Sequence, residues 1–124
     1  MQGPEEFKFV NLTPHAVKIC DNEGNITHVF VPHGLVARVT TMPSPDLGLI
    51  GGVPVAGGDS FGPTVGLPDI EDDTYYIVSG MVGSHPDVKK YRPDVLVPAT
   101  APADEPLRNE KGHIVAVKHL KHVN

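Results

Sequence analysis

The chain has 124 residues, 40% hydrophobic and 20% charged, with a formal net charge of −5 and a pI of about 5.7. That is enough for one domain burying about two thirds of its unfolded surface. No apolar run approaches the ~20 residues of a membrane span, and the acidic balance argues against general nucleic-acid binding, which draws on a basic face. One cysteine, Cys20, excludes an internal disulfide and points to a cytoplasmic setting.

Thirteen prolines and thirteen glycines are scattered along the chain. They chop it into short strands and tight turns and exclude long helices. Residues 1–6 read as a flexible lead, neither a secretory signal nor a myristoylation site, since Gln2 stands where glycine is required. Residues 7–12 form a first strand, stopped at Pro14, which lacks a ladder donor. Residues 15–20 alternate and pair with 26–31 across the DNEGN turn, where Gly24 can take φ > 0. Residues 35–41 make another strand. LGLIGGVPVAGG folds as a small hairpin with Gly51-Gly52 at its tip, and Pro54 makes its second arm an edge strand.

Residues 61–73 read mostly as connection. Residues 75–82 are the strongest apolar run and belong in the middle of the sheet. A short helix fits 86–91, with Ser84 as its cap and Pro86 in its first turn. Residues 95–97 are a short strand, and 107–120 form a closing hairpin around NEKG. The expected fold is mainly β: residues 7–124 as a single small antiparallel barrel or two-layer sandwich with one short helix.

In chain order, Asn11-Leu12-Thr13-Pro14-His15, Ala37-Arg38-Val39, Gly52-Val53-Pro54-Val55, Gly66-Leu67-Pro68, Tyr76-Ile77-Val78-Ser79, Arg92-Pro93-Asp94-Val95 and Arg108-Asn109-Glu110-Lys111-Gly112 resemble a family of small, mostly uncharacterised phage and prophage proteins. The chain departs from that pattern at 81–91. Family members carry a plainer, alanine-rich helical stretch there, and this chain places Gly83, His85 and Pro86. The resemblance implies a phage setting in the host cytoplasm and brings no established activity. One task open to such a protein is antagonism of a host defence by capturing a nucleotide-like signal.

Candidate chemistry begins at the proline-locked elbow. Asn11, Thr13 and His15 either bond neighbouring backbone or offer donors to a ligand. The three arginines, Arg38, Arg92 and Arg108, carry planar forks suited to phosphate or carboxylate; converging, they would make an anion pocket in an acidic protein. Ser79 ends the central strand beside a glycine. Tyr75 and Tyr76 are adjacent on one strand, so one faces the core and the other is placed to stack on a base. Seven histidines include no zinc-type spacing with cysteines, and DIEDD lacks the calcium-loop pattern; no metal or cofactor is expected.

The leading expectation is a binding protein without turnover for a small anionic, nucleotide-like molecule, with Asn11, Thr13, His15, Arg38, Ser79, Arg92 and Arg108 as its site. The alternative is a phage structural or protein-interaction module with no ligand pocket. A third reading is a small phosphate-ester hydrolase. Exposed edges such as the Pro54 arm favour a homo-oligomer.

Overall fold

A computed structural model describes residues 7–45, 47–58 and 60–124; the expected lead over 1–6 lies outside them. In chain order the described elements are β1 (Lys8–Asn11), β2 (Val17–Cys20), β3 (Ile26–Phe30), β4 (Arg38–Met42), β5 (Leu47–Ile50), β6 (Val53–Ala56), β7 (Ser60–Val65), β8 (Thr74–Ile77), α1 (Gly80–Gly83), α2 (Pro86–Tyr91), β9 (Val95–Pro98), a 3-10 turn (Pro102–Asp104), β10 (Leu107–Arg108), β11 (Ile114–Ala116) and β12 (Leu120–His122). The protein is mainly β, as its composition predicts.

The expected antiparallel barrel is not what forms. A four-stranded sheet runs β1-β8-β9-β12, with two-stranded ribbons β2-β3, β4-β7, β5-β6 and β10-β11; among the described residues no barrel closes. Within the central sheet β1 pairs parallel with β8 and β8 parallel with β9, while β12 returns antiparallel to β9. Parallel neighbours need a crossover of a dozen or more residues. Between β8 and β9 that crossover carries α1 and α2. The glycines and prolines of this stretch therefore sit within short helices as well as in turns.

The apolar run expected as one strand over 75–82 stops at Ile77. Ser79 then caps α1, its hydroxyl accepting from the Val82 amide at 3.4 Å. The helix expected over 86–91 is present as α2, but its cap is His85 rather than Ser84. Pro86 stands first in the helix, which makes the residue before it the cap. His85 Nδ1 accepts from the Asp87 amide at 3.1 Å, so its Nε2 carries the proton and donates to the Gly62 carbonyl at 2.9 Å. That bond ties α2 to β7. β7 itself falls in the stretch expected as connection: it pairs with β4, and Pro63 is accommodated beside a register shift in the ladder.

Residues opposite one another in a sheet share a face. Val10, Tyr76 and Val95 are register partners, and all are buried with Leu12, Ala37, Val78, Val82 and Val88 in the main core. The helices thus cover one face of the sheet. The opposite face carries Phe9 beside Tyr75, and Ile77 beside Leu96 and His122. The β2-β3 hairpin lies over that side. It is joined to the C-terminal part through Cys20 N–H to Val117 O and Val117 N–H to Lys18 O, both 2.9 Å.

The elbow after β1 locks these parts together. Asn11 is 2% exposed. Its amide nitrogen donates to the Phe30 carbonyl at 2.8 Å and the His15 carbonyl at 2.9 Å, and its oxygen accepts from the Thr13 amide at 2.9 Å. The Thr13 hydroxyl sits 2.7 Å from the Asn11 oxygen and 2.8 Å from the His15 carbonyl, with one proton to share between them. These bonds are part-buried, and a group deprived of its partner out of water costs about 1–3 kcal/mol. Asn11→Ala should therefore lose about 2 kcal/mol or more, read in urea unfolding as a lower midpoint at unchanged slope. A midpoint within error of wild type would show the elbow is held by other means.

Candidate functional site

The seven residues chosen from the sequence do not gather at one place. Thr13, Arg38 and Ser79 line one cavity of about 340 Å³, walled by apolar groups such as Pro14, Val39 and Met81. It lies where β1 and β8 end, the carboxyl ends of a parallel pair, a usual position for ligands in open sheets. The Thr13 and Ser79 hydroxyls are already engaged with the elbow and the α1 cap. Arg38 is exposed and, among the described residues, its guanidinium has no hydrogen-bond or ion-pair partner.

The other two arginines are committed elsewhere. Arg92 grips Asp94 with Nε at 3.0 Å and Nη2 at 2.9 Å and donates to the Pro68 carbonyl at 2.7 Å. Both side chains of this pair are largely buried, and the guanidinium lies 6.0 Å from the Tyr76 ring centre. Burial raises the Tyr76 phenol above its ordinary value, and nearby Glu71 and Asp94 push the same way. Arg108 reaches the Gly112 carbonyl at 2.7 Å, closing its own hairpin. Neither lines the cavity of Arg38. Asn11 is consumed by the elbow, and His15 is exposed, contributing its carbonyl to that network. The expected convergence of three guanidinium groups is not found.

The larger concavity is on the other face of the sheet. A cleft of about 570 Å³ opens between the central sheet and the β2-β3 hairpin. Ring after ring lines it. Phe7 lies 6.0 Å from Tyr75, Tyr75 stacks on Phe9 at 5.6 Å, Phe9 meets Phe30 at 5.3 Å, and Phe30 stacks on His28 at 6.2 Å with 9° between planes. Phe9 remains 39% exposed, so part of this aromatic wall is open. Ligand sites of about 300–1,000 Å³ with apolar walls and a few polar groups are the common pattern.

The polar groups of the cleft are basic: Lys118, His119 and His122 on one side, His28 on the other. Among the described residues no group of three or more metal-ligating side chains is placed to hold an ion. Acidic residues at the end of the 3-10 turn pair with bases in and beside this rim. Glu105, 78% exposed, meets Lys118 at 3.3 Å, and Asp104 meets Lys121 at 2.6 Å and His119 at 3.7 Å. The bond from Lys121 holds the Asp104 carboxyl below its ordinary 3.8.

The adjacent tyrosines are the sequence signal for this cleft. Tyr76 is 4% exposed in the core and Tyr75 turns to the opposite face, as alternation requires. The histidines and Lys118 carry no such signal, because they come from β3, the β11-β12 link and β12, which nothing local in the sequence places together.

The three arginines make a test series. Arg92→Ala leaves Asp94 buried without its partner and should cost about 3–5 kcal/mol. Arg38→Ala and Arg108→Ala, at exposed positions, should stay within about 0.5 kcal/mol. Equal losses for all three in denaturant unfolding would contradict these placements. A second test concerns Asp104. Its lowered folded-state pKa means the ion pair stabilises above the ordinary aspartate range and ceases to as pH falls through the folded value. Lys121→Met should therefore lower the melting temperature at neutral pH, and the gap to wild type should close in acid. A gap unchanged down to acid pH would exclude this linkage.

Compared with known proteins, the chain matches no family model, no curated sequence and no solved structure.

Proposed function

We propose that this protein binds a small, planar, anionic molecule of nucleotide type in the aromatic cleft, and holds it without turnover. The observation that carries this reading is the ring series Phe7, Tyr75, Phe9 and Phe30 beside Lys118 and three histidines. Aromatic side chains take the face of any base, at about 1–3 kcal/mol per stacked base. The basic rim supplies donors for phosphate in a chain that is acidic as a whole. Glu105 competes with such an anion for Lys118, and its exposure makes it easy to displace. Arg38, open in its own cavity, is a second group able to meet an anion.

A phage setting, with a nucleotide-derived host defence signal as the captured ligand, belongs to the same proposal and rests on the ordered motif resemblance. Self-association through exposed strand edges is also part of it. A second reading, an interaction module without a ligand, is favoured by the β5-β6 hairpin, every residue of which is exposed.

The test has two arms. Small molecules released on denaturing the purified protein are identified by mass spectrometry, and nucleotides are screened by thermal shift. A ligand at ~100 times its Kd adds about 2.7 kcal/mol, roughly 10 °C for a chain of this size. Phe9→Ala and Lys118→Gln should each reduce that shift, and Glu105→Gln should enlarge it. No shift with any nucleotide, together with a stable complex with another protein, would replace the proposal with the second reading. Steady loss of the added nucleotide would make the protein a hydrolase.

A further inference from the structure

We infer that two copies of this chain associate by pairing their β5 strands edge to edge, joining two β5-β6 hairpins into one four-stranded sheet across a two-fold axis. This rests on the self-association proposed above and not on the cleft. From Leu47 to Ala56 the chain contains no polar side chain. Register places Leu47, Leu49, Pro54 and Ala56 on one face of the ribbon and Gly48, Ile50, Val53 and Val55 on the other. Leu47, Leu49 and Ile50 are 70%, 71% and 70% exposed. A surface hairpin ordinarily turns one polar face to water, and an isolated two-stranded ribbon is marginal by itself. This ribbon has two apolar faces and packs neither into the core.

The hydrogen-bonding edges decide how it is covered. Gly51 and Gly52 have φ of 55° and 81°, a two-residue tip of the I′ kind. Such a tip makes Ile50 and Val53 a mutually bonded pair, so Leu49 and Pro54, next along, point their backbone groups outward. On the β6 side that outward position is a proline with no N–H, which blunts the edge. On the β5 side Leu47 and Leu49 offer outward N–H and C=O groups. β5 is therefore the edge open to another strand.

A second copy of β5 satisfies it. Antiparallel pairing with Leu47 of one copy opposite Leu49 of the other engages every outward group of both strands, with Gly48 on the axis. Four leucines then adjoin on one face. The body of each copy adds to a formal charge of −5 that repels the other, whereas residues 47–56 bear no charge and let two copies approach. Five large side chains between 42% and 71% exposed leave roughly 500 Å² of apolar surface per copy over the two faces, comparable with the largest patch of a typical monomer, which is often functional. Burying part of that in each copy falls short of the ~1,200 Å² of a standard stable interface. The dimer is therefore reversible and concentration-dependent.

Sedimentation velocity of the full chain, from micromolar to millimolar, tests this. Wild type should pass from monomer to dimer. Leu49→Pro removes an outward donor that the hairpin itself does not use, and should remain monomeric with an unchanged circular dichroism spectrum. Leu47→Lys leaves the backbone intact, sets like charges across the axis and should also remain monomeric. Pro54→Val restores a donor to the β6 edge and should give assemblies larger than a dimer. A wild-type monomer at every concentration would overturn self-association and the pairing together. A wild-type dimer that survives both leucine substitutions would overturn the β5 edge alone.

Discussion

The side-chain amide of Asn11 is where the elbow after β1 is joined to the end of β3. Its nitrogen bonds the end of β3 and the elbow, and its oxygen takes the Thr13 amide. The flanking backbone continues the join: Leu12 N–H meets the Ile77 carbonyl, Ala37 N–H meets the Leu12 carbonyl, and His33 N–H meets the Asn11 carbonyl. Two donors and one acceptor on one rigid plane are what this position requires, and an ionised aspartate has no donor to give. Inside the protein each of these bonds is strong, and each group left alone is costly. The elbow thus sets the height of the β2-β3 hairpin above the sheet, and with it the opening of the aromatic cleft.

The central sheet divides the molecule's chemistry by alternation. Lys8 to Asn11 and Thr74 to Ile77 run parallel in step, so Val10 and Tyr76 fall together on the helix side and Phe9 and Tyr75 together on the hairpin side. A shift of one residue would exchange those sets. The buried set is large enough to fix the register, and the aromatic set is carried by it. The Arg92–Asp94 pair belongs to the same frame, since Asp94 also gives its carbonyl to the Tyr76 amide at 2.9 Å. An arginine read as a ligand for anions is instead part of what aligns β8 with β9.

What was legible in the sequence was local. The hairpins around Asp21–Asn25, Gly51-Gly52 and Asn109–His113 are written in turn residues and strand periodicity, and all three form. The helix at Pro86 is likewise announced by its proline. The parallel pairing of β1 with β8 was hidden, because partners more than sixty positions apart (Phe9 and Tyr75) leave no short-range mark, and that of β8 with β9 was hidden by the helices between them. For the site, side-chain type suggested function where context decided otherwise. By type Asn11 and Thr13 suit either a structural or a ligand-binding role, and their bonds go to the elbow and to the end of β3. The groups in the cleft are histidines and a lysine from two remote segments, a set that only the tertiary fold brings together.

The β5-β6 hairpin is the part of the chain that the fold's own stability does not explain. The β2-β3 hairpin contributes Val17 and Cys20 to buried surface, and β10-β11 contributes Ala116. Residues 47–56 contribute none. Fixing a residue's backbone costs about 1–2 kcal/mol in entropy, and local turn geometry returns only part of that. An apolar ribbon kept in water on both faces, with one edge blunted by Pro54 and the other open, is what the proposed β5 pairing would stabilise. On the proposals above, the cleft would serve a ligand and the hairpin a second copy, and the β4-β7 ribbon that carries Arg38 links them.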